Sequence, residues 1–395
     1  MITARVLYVQ YTNPGGYPPL IHSAHILAKS GADVVFLGIP VRGVEQLTVT
    51  PQPRIRVYMM PTVRAGWLQK IHYCAYVFWV AGWALLWRPK VIYASDPMSL
   101  PAASIAEFFC KGSLVYHEHD SPGLPTGAFS RAVGIFRQAF ARRTFACVIP
   151  NNKRADLFIK ETSARAESTF VVFNCPGRGE ITLPEKVAAF EPLSGDIWLL
   201  YHGSIVPERV PFSVVDALTL LPRNVRLRVV GYETAGDPGY TKRLVEHASS
   251  LGIGARVEIV GPLARAPLME VARRSHIGLA ILLTSANDIN LQHMVGASNK
   301  SFDYLASGCP LIVSDLPEWQ SMFVDEGLAV ACDPTSPASI AQAVERILRQ
   351  PNFFINARSE GLRRAMVDWN YESQFAPVLN RIRSVLTLGD GELEP

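Results

Sequence analysis

At 395 residues the chain is too long for one ordinary core, so two domains are expected. A composition of 49% apolar and 18% charged residues excludes a disordered chain, and a net charge of +4 makes no demand for nucleic acid. The six cysteines (Cys74, Cys110, Cys147, Cys175, Cys309, Cys332) are too scattered to hold a metal, which fits buried thiols in a reduced, cytosolic compartment.

From Met1 the sequence runs straight into a strand-like segment, without a signal-peptide pattern. Short strands rich in Val, Ile and Leu are predicted at 5–10, 33–37, 54–59, 91–94, 114–117, 147–149 and 170–173. Helices fall between several of them, at 19–30, 100–110 and 130–145. A stretch at 183–196 suits a linker. The pattern then restarts, with strands at 197–201, 226–230, 257–260, 277–282, 311–313 and 328–331, and helices at 212–221, 239–251, 266–274 and 337–349. A last helical stretch, 371–388, lies beyond it. The alternation predicts two doubly wound α/β domains, 1–185 and 196–368, with a tail at 369–395. Ligand sites are then expected at the carboxyl ends of the strands, in a cleft between the domains.

Within the first half, residues 71–87 read IHYCAYVFWVAGWALLW and are closed by Arg88, Pro89 and Lys90. As a helix the run extends roughly 25 Å, a little short of a bilayer span. Trp79, Trp83 and Trp87 share one face, and with Trp67 they make four of the seven tryptophans. A helix over 67–88 is therefore either a core helix, an in-plane anchor on the cytoplasmic leaflet, or a span.

The most informative segment is 296–314, GASNKSFDYLASGCPLIVS. Small residues lead into a short helix, Gly308 stops it, and Pro310 opens a strand. A helix start preceded by Gly296, Ala297 and Ser298 leaves N–H groups available to a diphosphate, and Lys300 adds a charge there. Asp303, one turn on, can accept hydrogen bonds from sugar hydroxyls.

A nicotinamide enzyme would need G-x-G-x-x-G after the first strand and an acid after the second. Only Gly15 and Gly16 are present, and the second strand ends without an acid, so that reading fails. Farther on, His117, Glu118, His119 and Asp120 crowd ionisable groups at a strand end, with both histidines on one face and Glu118 on the other. Arg131, Arg137, Arg142, Arg143, Lys153 and Arg154, interleaved with Phe136, Phe140 and Phe145, form either a solvated face or a contact for anionic lipid or a lipid-diphosphate acceptor.

Segment 296–314 resembles the donor-binding helix of family 4 glycosyltransferases, which bind nucleotide sugars on the GT-B fold. Gly15 and Gly16 resemble that family's glycine-rich loop. Residues 91–97, VIYASDP, resemble a strand ending in a His-Asp or similar pair, and 115–120, VYHEHD, the strand whose histidine approaches the transferred sugar; His119 matches it, followed by Asp120. Gly203, Ser204 and Arg209 resemble the loop that neutralises the diphosphate: Arg209 stands at the lysine position and Ser204 where an arginine is usual. Tyr232 and Leu263 lie on loops after strands that resemble those by which the family holds the nucleobase. Ser298, Asn299, Lys300 and Asp303 match a branch with an Asn-Lys step, while Val295 stands where a glutamate is usual, so that Asp288, Asn290 or His293 are candidate replacements.

The resemblance implies a GT-B fold whose C-terminal helix crosses back to the first domain. It implies sugar transfer from a UDP- or GDP-sugar to a glycan, lipid-linked or small-molecule acceptor, with retention of configuration and without a metal or cofactor. Catalytic roles fall to His119, Asp120, Arg209 and Lys300. Donor contacts fall to Gly15, Gly16, Gly203, Ser204, Tyr232, Leu263, Ser298, Asn299 and Asp303. A sugar-nucleotide epimerase and a silent scaffold in a polysaccharide assembly complex are the alternatives.

Overall fold

The structure is a computed structural model that describes residues 4–386 except 42, 65, 124–126, 184–194, 235 and 284–287. It divides into two compact units. The first holds the described residues up to Asn174 and those from Tyr371 on; the second is Cys175–Asn370.

The first unit alternates β1 (Arg5–Gln10), α1 (Pro18–Lys29), β2 (Asp33–Gly38), β3 (Ile55–Met59), α2 (Trp67–Trp87), β4 (Val91–Ser95), α3 (Leu100–Cys110), β5 (Ser113–His117), α4 (Ala128–Ala141), β6 (Ala146–Ile149), α5 (Asn152–Thr162) and β7 (Thr169–Val171). The strands form one parallel seven-stranded sheet, ordered β3-β2-β1-β4-β5-β6-β7. The central strands are apolar on both sides because helices cover both faces. On one face Leu7, Val35, Ile92 and Leu114 pack beneath α2 to α5; on the other Val6, Val34, Val91 and Val115 pack beneath α1.

In the second unit β8 (Ile197–Ile205), α6 (Phe212–Thr219), β9 (Val225–Glu233), α7 (Tyr240–Ser250), β10 (Val257–Val260), α8 (Arg265–Arg273), β11 (Ile277–Ala280), α9 (Ile289–Gln292), α10 (Asn299–Ala306), β12 (Leu311–Ser314), α11 (Pro317–Trp319), β13 (Ala329–Cys332), α12 (Pro337–Arg349) and α13 (Pro351–Val367) follow in turn. Its parallel six-stranded sheet is ordered β10-β9-β8-β11-β12-β13. The chain then rejoins the first unit as α14 (Tyr371–Arg383), which packs beside α1 and buries Tyr371, Phe375, Val378 and Ile382. In both sheets the strand order reverses beside the first strand, β1 against β4 and β8 against β11. Loops leaving these carboxyl ends splay apart there and make room for a ligand.

Three expectations change. The units part at Asn174 and Cys175 rather than near 185, because residues 175–183 already bond to the second unit: Thr182 donates to the Ala306 carbonyl at 2.9 Å, and Arg178 donates to Asn370 at 3.2 Å. Most of the expected linker lies outside the described residues. Strands β8 and β9 run on to Ile205 and Glu233, because Gly203 faces Gly231 in register and no side chain parts them. Finally, among the described residues no helix is long and apolar enough to cross a membrane, so the spanning reading of 67–88 falls. Helix α2 instead lies along α3, with Tyr73, Tyr76, Val80 and Ala84 buried and Trp79, Trp83 and Trp87 half-buried at the core's edge.

Candidate functional site

In the second unit the strongest constellation surrounds the end of β8. Gly203 has φ +117°, and a Cβ placed on it would stand 3.5 Å from the Lys300 Nζ. Gly231 is tighter still: a Cβ there would lie 1.8 Å from the Gly203 carbonyl oxygen. Both positions require glycine, and the backbone is bare where Lys300 arrives. Lys300 Nζ lies 5.4 Å from the centre of the Tyr201 ring. Tyr201 donates to the Ser204 carbonyl at 2.5 Å, and Arg209 Nη1 donates to the Ser204 hydroxyl at 2.7 Å. The position where an arginine was expected therefore holds the arginine from five residues on.

Arg209 and Lys300 form no ion pair among the described residues. Burial, and then the neighbouring Arg209 charge, push the Lys300 ammonium down to about 7. Two cations held together without a neutralising carboxylate in contact make a place for an anion. Helix α10 begins here, with Ser298 buried at its N-cap and making no side-chain capping bond, and Asn299 half-buried in the first turn. Its first N–H groups have no intrahelical partner.

Asp303 departs from its expected place at a sugar or ribose. Its side chain has no exposed surface, and both carboxylate oxygens accept from Arg265, at 2.6 Å each. Arg265 also donates twice to Glu180, at 2.9 Å each. A neutral His202, its basicity lowered first by burial and then by Lys300, stands 3.4 Å from Asp303. Asp303 thus sits behind the surface and fixes Arg265, which the sequence reading missed; its only local signal is its place at the start of a helix just after Gly261, Pro262 and Leu263. Leu263 and Tyr232 are half-buried on segments following β10 and ending β9. Asp288 caps α9 through Asn290 N–H at 2.9 Å, His293 meets Glu318 at 3.0 Å, and Val295 is buried.

In the first unit Asp96 ends β4 in a left-handed conformation, φ +64°, that a non-glycine residue adopts only under constraint. Its carboxylate accepts the His119 N–H at 3.0 Å, which ties the loops after β4 and β5 together. Burial, then the Asp120 charge, push its pKa up to about 7. The rings of His117 and His119 meet at a tilt with centres 3.9 Å apart, while Glu118 turns to the other face and accepts from Arg137 Nε and Nη2, at 2.6 and 2.8 Å. His119 is buried and held neutral, its pKa pushed down to about 3 by burial and then by Arg154; its Nε2 has no hydrogen-bond partner among the described residues. Tyr17 packs against it at 5.0 Å.

A cavity of about 930 Å³ opens beside this cluster, lined by Asp96, Met98, Asp120, Arg131, Val133 and Ile135 among others. Gly15 serves packing: a Cβ there would stand 2.1 Å from the Leu47 carbonyl oxygen, whereas Gly16 faces open space. Two members of the basic cluster are internal. Arg137 pairs with Glu118 and Glu161, and Arg154 donates to the His119 carbonyl at 2.6 Å.

Residues 22–175 match the family described as Glycosyl transferase 4-like domain, and residues 185–364 match Glycosyl transferases group 1. The two matches follow one another along the chain, one on each unit. The chain belongs to the family 4 glycosyltransferases. Glycogen synthase of Mycobacterium tuberculosis (strain ATCC 25618 / H37Rv) is 25% identical over 275 residues, which are 67% of this chain and 61% of the relative. The chain therefore spans less than two thirds of that curated relative. Among solved structures, Anabaena HepE in complex with UDP and glucose has a TM-score of 0.72 at 18% identity, over 96% of this chain and 100% of HepE. Sucrose-phosphate synthase from Thermosynechococcus elongatus has a TM-score of 0.72 at 13% identity, over 96% and 99%. These likenesses establish the GT-B fold for this family 4 glycosyltransferase.

Proposed function

We propose that the chain moves a sugar from a nucleoside diphosphate sugar, bound by the second unit, to a glycan, lipid-linked or small-molecule acceptor bound by the first. One arrangement carries this reading: Lys300 and Arg209, without carboxylate partners among the described residues, beside the bare backbone of Gly203 and the start of α10. A diphosphate would supply the missing negative charge. As the sugar–phosphate bond breaks, both cations and the helix start stabilise the leaving oxygens, which assigns charge neutralisation to protein groups rather than to a metal. The acceptor hydroxyl forms the new glycosidic bond on the same face and passes its proton to the departing phosphate, so configuration is retained. His119, being neutral, orients groups by hydrogen bonding rather than by charge.

The glucose and UDP bound by HepE make UDP-glucose the first donor to try. The protein would act in polysaccharide or glycolipid assembly, as a peripheral protein at the cytoplasmic membrane face. The test is to incubate it with UDP- and GDP-sugars and a membrane lipid and glycan extract, and to follow nucleoside diphosphate release and label transfer. One donor should be consumed by wild type and spared by Lys300→Met. Failure of every donor to bind or react would overturn the reading.

A further inference from the structure

The outer surface of α2, α3 and α4 is apolar to a degree that water-facing helices seldom show. Leu86 is 85% exposed, Phe108 79%, Phe78 76%, Trp67 69% and Ile135 67%. Scattered apolar residues on a surface need no explanation, but these lie on one layer of adjacent helices. On α2 the exposed residues Trp67, Ile71, Phe78 and Leu85 recur at steps of four and seven, so they line one side of the helix.

Charge on the same layer has one sign. Lys70, Arg88, Lys111, Arg131, Arg142 and Arg143 are exposed on or just beyond these helices, while their one acid, Glu107, is half-buried and interacts with Arg143. An apolar stripe rimmed by cations complements a lipid surface with anionic headgroups. A groove of about 410 Å³ between Trp79, Gly82, Trp83, Leu86 and Trp87 is apolar enough to seat a hydrocarbon chain. The surface also continues inward: Arg131 and Ile135 belong both to it and to the lining of the large cavity beside Asp96.

We infer that the α2–α4 face docks on an anionic lipid bilayer and lets a lipid-borne acceptor enter that cavity along α4. The docking deepens the peripheral reading proposed above, and the acceptor clause rests on the sugar transfer proposed there; the docking does not depend on that transfer.

Sedimentation with vesicles tests it, using phosphatidylcholine alone and phosphatidylcholine with about one-third phosphatidylglycerol, in the absence of donor. Wild type should pellet with the anionic vesicles and release as salt rises. Phe78→Glu with Phe108→Glu should abolish pelleting, and Arg142→Ala and Arg143→Ala should each reduce partitioning about fivefold. All variants should keep the wild-type melting temperature and UDP binding, which reports the second unit. Equal pelleting of wild type and the glutamate variant, or none by wild type, would overturn the docking, even if sugar transfer to a soluble acceptor proceeds. A wild-type dimer that the glutamate variant converts to monomer, without vesicle binding, would assign the face to a second copy and also overturn it.

Discussion

Arg265 holds Asp303 through two hydrogen bonds of 2.6 Å, and two more of its N–H groups hold Glu180 at 2.9 Å. The pair ties the start of α8 to α10 and to the segment after Cys175. Removing the aspartate leaves Arg265 paired with Glu180 alone and takes the acceptors from two of its buried hydrogen bonds. Asp303→Ala should therefore cost about 2–3 kcal/mol, read from the urea midpoint. Asp303→Asn, which keeps one acceptor oxygen, should cost less.

Lys300 behaves oppositely. A buried ammonium beside another cation destabilises the fold at neutral pH, so Lys300→Met should raise stability by about 1 kcal/mol or more. The same change should weaken nucleoside diphosphate binding at least about tenfold, because a charge-assisted contact is lost. Stability and binding moving in opposite directions is what a site shaped for a ligand should give.

Binding should also depend on pH. Lys300 titrates at about 7 in the unliganded chain, and a diphosphate favours its charged form, so binding raises that pKa and takes up a proton. Affinity should be full below about pH 7 and fall as pH rises, by up to about tenfold per unit. The phosphate's own last ionisation, near pH 6, is complete over that range. Calorimetry across it should give this slope for wild type and a flat line for Lys300→Met.

The two facing glycines separate fold from function. Gly231→Ala would drive a methyl group into the Gly203 carbonyl and should unfold or severely destabilise the second unit, by more than about 4 kcal/mol on thermal melting. Gly203→Ala meets Lys300 Nζ only at 3.5 Å, but carries the strain of φ +117°. It should fold with its stability lowered by about 1–3 kcal/mol, read from thermal melting, and bind nucleoside diphosphate weakly.

Much of the fold was legible because strands buried on both faces are nearly continuous apolar runs; Arg5–Gln10 was delimited as it stands. Helix α13 was not, since its inward positions include Ala357, Gly361 and Ala365, too small to mark a hydrophobic period. In the site, Lys300 could be found from the small residues ahead of its helix, and the opposed faces of His119 and Glu118 from strand alternation. Arg265 could not, because its partners lie 38 and 85 residues away. Arg137 and Arg154 looked like part of an exposed basic face for the same reason: Glu118 and the His119 carbonyl that draw them inside come from a different strand end.

The central claim is an anion site built by Arg209 and Lys300. Titration of UDP and GDP, by calorimetry, into wild type and into the Arg209→Gln, Lys300→Met double variant tests it most directly. One nucleotide should bind wild type and lose at least about a hundredfold in affinity in the double variant, which should melt no lower than wild type. Binding of equal strength to both proteins would contradict the account.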